Sequence, residues 1–204
     1  MGRRWTAMLA VAVAGCVAGP VQVEGEPAPL TAPTGAPTPS RPAPVASPSG
    51  TPVLPRAYVE HTLSRSGVTI RLPVPAAWSL TEKEYGVDFG DPSGRLLLRL
   101  DIRERRGEAV GLTAARAWEL AEPEISRGLA NYRRLGIVAV PGVGDSAADW
   151  TFTFDRGVTR QVVDRGISIG PVTVAIYFSA EQQFYDAMQP VFTSAAGGLV
   201  VSGR

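Results

Sequence analysis

Apolar and polar residues alternate in short runs along the last three-quarters of the chain. Val68, Ile70 and Leu72 alternate with Thr69 and Arg71. Leu96, Leu98, Leu100 and Ile102 alternate with Arg95, Leu97, Arg99, Asp101 and Arg103. Trp150, Phe152 and Phe154 alternate with Asp149, Thr151, Thr153 and Asp155, and Val172, Val174, Ile176 and Phe178 with Thr173, Ala175 and Tyr177. A period of two belongs to a strand with one buried face. Less regular runs predict strands around 58–63, 85–89, 133–140 and 158–168. Asp91-Pro92-Ser93-Gly94 has the chemistry of a type I turn, with Asp first, Pro second and Gly last. Arg156-Gly157 and Gly170-Pro171 punctuate two further pairs of strands. Short turns of this kind join antiparallel neighbours.

Two segments change to the helical period. After Thr113, a residue suited to capping, Ala114, Ala117, Trp118, Ala121, Ile125 and Leu129 fall near one face. Pro123 is predicted to kink or split this helix. Ser179-Ala180-Glu181-Gln182 has the spelling of a capping box, followed by the apolar face Phe184, Met188, Val191, Phe192 and Ala195. Pro190 is expected to restart this helix, Gly197-Gly198 to end it, and Leu199-Val200-Val201 to add a short edge strand. Few strands are separated by helices, which argues against a doubly wound parallel sheet. The expected class is α+β, an antiparallel β-sheet with helices packed on one face, in a single domain over 57–204.

The first 56 residues carry no such pattern. Arg3 and Arg4 precede an uncharged, largely apolar stretch at 5–14 that is too short to span a bilayer. It ends in Val13-Ala14-Gly15-Cys16, which resembles the bacterial lipobox. Residues 1–15 are therefore read as a lipoprotein signal peptide cut between Gly15 and Cys16, with Cys16 as the lipidated residue. The thiol is what a diacylglyceryl thioether requires. A single acyl chain holds weakly and two or more hold stably, so the membrane is an expected partner through Cys16. Residues 17–56 contain eleven prolines among Ala, Thr, Ser, Gly and Val. Proline disfavours helix and most strand positions, so residues 16–56 are predicted to form a disordered, extended tether.

Composition narrows the function further. Residues 57–204 hold 15 Arg and one Lys against 17 Asp and Glu, a net charge of about −1 with no single-sign block. That balance does not suit a nucleic-acid partner. The only histidine is His61 and the only cysteine is Cys16, which leaves no metal-binding spacing and calls for no cofactor. Gly142-Val143-Gly144-Asp145-Ser146-Ala147 spells a dinucleotide motif but leads into a strand, where the motif needs a helix. No pair of carboxylates stands out, and Asp101, Asp149 and Asp155 are expected on wet strand faces with ordinary pKa values. Trp118 and Trp150 read as core residues. Trp78, Tyr85 and Phe89, beside loop-forming Pro73, Pro75 and Gly86, form the candidate binding surface.

Gly67-Val-Thr-Ile-Arg-Leu-Pro-Val-Pro-Ala-Ala-Trp78, then Asp91-Pro-Ser-Gly94 with Leu96–Leu100, then Ala148-Asp-Trp-Thr-Phe-Thr-Phe154 followed by Arg160–Gly166, carry a family likeness. In this order they resemble a domain of actinobacterial lipoproteins and of the extracytoplasmic part of some actinobacterial Ser/Thr protein kinases. That domain has a fold similar to the Mog1/PsbP-like α/β sandwich. The resemblance implies a non-catalytic binding, sensing or accessory role at the cell envelope, with an envelope protein or cell-wall ligand as partner. No catalytic residue is carried over. Two rivals stand beside this reading: a small envelope hydrolase working through Asp or Glu carboxylates, and a purely structural envelope protein.

Overall fold

The fold was obtained as a computed structural model, in which residues 50–203 are described. Residues 1–15, with the Gly15 cleavage position, Cys16 and the tether as far as residue 49 lie outside the described residues. The described chain begins a few residues ahead of position 57, and Pro52 is already buried.

Among the described residues ten strands and two α-helices follow one another, with a short 3-10 turn at Gly107–Gly111 ahead of the first helix. They are β1 (Tyr58–Arg65), β2 (Val68–Pro75), β3 (Ser79–Glu82), β4 (Gly86–Gly90), β5 (Leu96–Glu104), α1 (Ala114–Ser126), β6 (Ala130–Val140), β7 (Ser146–Arg156), β8 (Val158–Ile169), β9 (Val172–Glu181), α2 (Gln182–Gly197) and β10 (Val200–Ser202). Seven strands form one sheet in the order β3-β4-β5-β9-β8-β7-β6, and three form a second in the order β1-β2-β10. Every pair is antiparallel. The expected α+β class and antiparallel pairing are both present.

The turns that were legible in the chain make these pairs. Gly94 N–H donates to the Asp91 carbonyl at 2.9 Å, closing the predicted type I turn between β4 and β5. The Asp91 carboxylate also accepts from the backbone N–H groups of Ser93 at 3.0 Å and Leu96 at 2.7 Å. Gly157, at φ 75°, makes the tight link of Arg156 to Val158. Gly170, at φ 52°, serves the pair Ile169–Val172 in the same way.

Register decides what each face of the large sheet carries. Ala147, Val163, Ile167, Val174, Ile176, Phe178 and Leu98 point to one side and join Ile70, Leu72, Met188, Val191 and Phe192 in the main core. Helix α2 and the small sheet cover that side. The alternate residues Ala148, Trp150, Phe152, Val162 and Tyr177 point the other way and join Ala114, Trp118, Ala121 and Leu129 in a second core under α1. Each helix thus covers a face of its own, which refines the expected one-sided cover. α1 packs on β6, β7 and β8.

Three local expectations are corrected. Ser179 does not cap a helix. β9 continues through Glu181, α2 starts at Gln182 with no side-chain cap, and the Ser179 hydroxyl accepts from Arg160 Nε at 2.8 Å. Pro123 and Pro190 both lie within single continuous helices, each placed in the second half, where the chain behind it is already wound. Strand β3 had no apolar signal because all four of its residues are exposed. Thr113 does cap α1, its hydroxyl accepting from Arg116 N–H at 3.3 Å.

Trp150 sits at the centre of the second core, 1 % exposed, with its ring centroid 5.3 Å from that of Trp118 and 4.6 Å from that of Phe152. Trp150→Ala is expected to cost about 3–5 kcal/mol of stability. Urea unfolding followed by circular dichroism measures it, and a loss below about 1 kcal/mol would place the indole outside the core.

Candidate functional site

The pleat brings one polar group together on the α1 side of the large sheet, next to the aromatic core. Thr81, Asp88, Arg99, Tyr177, Asp164 and Trp150 stand opposite one another across β3, β4, β5, β9, β8 and β7. The neighbouring row runs Gly86, Asp101, Ala175, Gly166 and Ala148. Arg103 lies one step further along β5 on the same face.

Two arginines are held in matching stacks. Arg99 donates from Nε to Asp88 Oδ1 at 2.6 Å and from Nη2 to Asp88 Oδ2 at 2.9 Å, and its guanidinium carbon lies 5.8 Å from the centre of the Tyr177 ring. Arg103 lies 3.5 Å from the Asp101 carboxylate, and its guanidinium carbon sits 4.3 Å over the Tyr85 ring. Each cation is thus placed between a carboxylate and a tyrosine face, a geometry that a delocalised planar guanidinium favours. Lys83, the only lysine in the chain, adds a longer contact to Asp88 at 3.7 Å.

The β3–β4 hairpin delivers Tyr85 to this place. Lys83 N–H donates to the Gly86 carbonyl at 2.9 Å, and Ile102 N–H donates to the Tyr85 carbonyl at 2.9 Å. Arg65 at the end of β1 donates to the Glu84 carbonyl. Gly86 permits the close approach, since a Cβ there would stand 1.8 Å from the Leu100 carbonyl oxygen and 2.7 Å from an Asp101 carboxylate oxygen. Gly166 performs a similar service on β8, where a Cβ would meet the Trp118 indole at 2.9 Å.

Beneath the stacks lies Asp164, 2 % exposed, whose Oδ1 has no hydrogen-bond partner. Burial pushes its carboxyl up to about 8, with the Asp101 charge adding to the effect and Arg99 opposing it. Burial also raises Asp101, while Arg99 and Arg103 pull it back down. Burial raises the Tyr177 hydroxyl in the same way.

The sequence-predicted site residues do not converge. Phe89 is 2 % exposed and belongs to the main core, where it meets the His61 ring edge-on at 5.0 Å. It alternates with Asp88 on β4, so the pleat turns it away from the polar face. Trp78 is half-buried against the same core. Of the three, only Tyr85 reaches an exposed face, and its neighbours there are charged. The expectation of wet carboxylates with ordinary pKa values holds only in part for Asp155, which is half-exposed and accepts from Asn131 at 2.6 Å and Thr159 at 2.8 Å, bonds that hold its carboxyl below the usual range. It fails for Asp101, which is 6 % exposed, because Arg103 and the Gly86 backbone close over it. Asp149 accepts from Arg165 Nε and Nη2, each at 2.7 Å, on the α2 face. Asp164 gave no alternation signal, since the run Val162-Val163-Asp164-Arg165 pairs two apolar residues with two charged ones.

The architecture belongs to the PsbP-like class of α+β sandwich. Cyanobacterial PsbP from Synechocystis superposes with a TM-score of 0.57 at 14 % identity, covering 78 % of this chain and all of that one. LpqN of Mycobacterium tuberculosis, described as involved in cell envelope biogenesis, superposes with a TM-score of 0.51 at 19 % identity, covering 71 % of this chain and 91 % of that one. The Ran-binding protein Mog1p of Saccharomyces cerevisiae follows with a TM-score of 0.49 at 9 % identity over 71 % and 96 % of the two chains. At these identities the likeness is one of fold. No protein-family model matches the chain, and no curated protein matches it in sequence.

Asp164 sets a pH dependence whose sign follows from its environment. An unfolded aspartate titrates near 3.9, so the folded state holds a proton that the unfolded chain has lost through the neutral range. Stability from this group is therefore greatest below about pH 4, falls as pH rises, and reaches its floor above about 8. Asp164→Asn is expected to remove that slope and to leave the variant more stable than wild type at pH 8. Urea titrations of both chains at pH 5, 6, 7 and 8 read the difference, which should widen by up to ~1.4 kcal/mol per unit.

Proposed function

We propose that the chain is a lipid-anchored extracytoplasmic lipoprotein whose domain is a non-catalytic accessory module that docks a protein partner at the cell envelope. The observation that carries the docking part is the Asp101–Arg103–Tyr85 stack, open to solvent at Tyr85, beside the largely buried Asp88–Arg99–Tyr177 stack on the stretch of sheet next to α1. Arginine and tyrosine dominate the energetics of protein interfaces, and side chains already fixed in place lose little entropy on binding. Tyr85 is 38 % exposed at the outer end of its stack. The fold is shared with LpqN, described as involved in cell envelope biogenesis, which supports the same compartment for this domain. The anchor rests on Val13-Ala14-Gly15-Cys16 behind the basic start of the chain. Among the described residues no helix is long and apolar enough to cross a membrane.

One observation favours the hydrolase rival: Asp101 and Asp164 share a face and both carboxyls are raised by burial. Paired-acid catalysis needs both groups to touch the substrate. Exposures of 6 % and 2 % deny that contact, so the docking reading is preferred.

Two experiments test the proposal. Cys16→Ser should shift the protein from the membrane pellet to the soluble fraction or leave the precursor uncut, and an unmodified Cys16 in mature wild-type protein, seen by mass spectrometry, would remove the anchor. Arg103→Ala and Tyr85→Ala should each weaken partner capture from envelope fractions by tenfold or more. Leu120→Ala, at an exposed position on α1, should leave it unchanged. Equal capture by all three folded variants would remove the stacks from the binding surface.

A further inference from the structure

Asp164 takes no part in the docking surface itself, yet it lies where it can control it. Its side chain shares a row with Tyr177 and Arg99 and lies within the electrostatic reach of Asp101, Arg99, Asp149 and Arg103. The charged and titratable groups around it can be assigned element by element. β4 contributes Asp88, β5 contributes Arg99, Asp101 and Arg103, and β9 contributes Tyr177. β7 contributes Asp149 from the opposite face. On β6, Tyr132 and Arg134 are engaged with Glu122 of α1, at 2.5 and 2.9 Å, and on α1 Arg116 pairs with Glu119 at 2.8 Å. α1 presents the neutral Trp118 indole beside Gly166.

Between Asp101 and the α1 core, the sheet carries only Ala175, Gly166 and Ala148. The Trp118 indole of α1 packs over Gly166 in that row, and Asp164 lies beside it, buried and within electrostatic reach of Asp101, Arg99 and Arg103. A buried acid with an unpaired oxygen in such an interior has two stable settings. As the neutral acid it leaves Arg99 to Asp88 and Arg103 to Asp101. As a carboxylate it competes with Asp88 and Asp101 for the same two cations, because a buried unpaired charge is far more costly than a shared one.

We propose that Asp164 is a proton-operated switch for the two arginine stacks: protonated, it leaves them standing against Tyr177 and Tyr85, and ionised, it draws Arg99 and Arg103 inward and dismantles the outer surface. The step is the loss of one proton from the Asp164 carboxyl to bulk water, and no other covalent bond changes. The switch makes docking strongest when the surroundings are acidic. That last consequence rests on the stacks being the docking surface, whereas the switch itself does not.

Carbon-detected carboxyl titration of the full 204-residue chain, with the Tyr85 ring and Arg103 Nε resonances followed in parallel, tests it. The Asp164 carboxyl is expected to titrate near pH 8, and the Tyr85 and Arg103 signals to move with the same midpoint. In Asp164→Asn those two signals should stay in place through pH 6–9. Asp101→Asn removes a like charge and should lower the Asp164 midpoint by half a pH unit or more, which keeps the test open if Asp164→Asn does not fold. Titration of Asp164 below pH 5, an immobile Tyr85 and Arg103 across its midpoint, or an unmoved midpoint in Asp101→Asn overturns the switch. Every readout is taken on the free protein, so failure of partner docking and failure of the switch are separate results.

Discussion

Seven strands at ~4.8 Å spacing make a face about 29 Å across, and one helix with its side chains covers about 10–12 Å of it. On one side of the large sheet that shortfall is met by company, since α2 lies there with the small sheet of β1, β2 and β10 beside it. On the other side α1 lies over β6, β7 and β8, and among the described residues no second layer accompanies it. The strands β4, β5 and β9 must close their own surface there. They do so with side chains that are long and carry charge: Arg99 and Arg103 lie down across the pleat, and Asp88, Asp101, Tyr85 and Tyr177 fill the gaps between them. The polar face is thus the structural answer to a sheet wider than its helix.

That answer has an energetic character different from the rest of the core. Apolar packing under α2 contributes through area removed from water. A partly buried ion pair gains little net, since desolvation offsets its attraction. Asp164 goes further and opposes folding at neutral pH, because its proton must be kept against a solvent that would remove it. A protein that only needed to be stable would fare as well with a leucine in that row. Locally unfavourable groups of this kind tend to mark places where a surface has a task beyond packing.

Much of this arrangement was legible in the chain. The alternation in β2, β5, β7 and β9 placed the strands, the turn chemistry at Asp91–Gly94 paired two of them, and Trp118 and Trp150 fell into the core as their periods required. The candidate site was harder to see for a specific reason. Arg99, Asp101 and Arg103 alternate with apolar neighbours as a solvent-facing set would, and sequence spacing carries no information on whether charges of adjacent strands will lie against one another. Phe89 could have been placed better, because its own alternation with Asp88 on β4 sends it to the core face of the sheet, away from the polar row. The capping box at Ser179 misled because strand pairing over nine registered positions with β5 outweighs a local cap. The one available signal for Asp164 was that Val162 and Val163 are apolar on both faces, so that a polar residue continuing such a run has little water to meet.

The two buried indoles have a consequence of another kind. Trp118 belongs to α1 and Trp150 to β7, with ring centroids 5.3 Å apart and planes tilted by 42°. Chromophores this close and this far from parallel share their excited states, which gives near-ultraviolet circular dichroism a sign pattern that neither ring produces alone. The coupling exists only while the helix sits on the sheet. The domain therefore carries a built-in optical gauge of the α1–sheet contact, one that needs no label and reads that contact separately from the strand pairing.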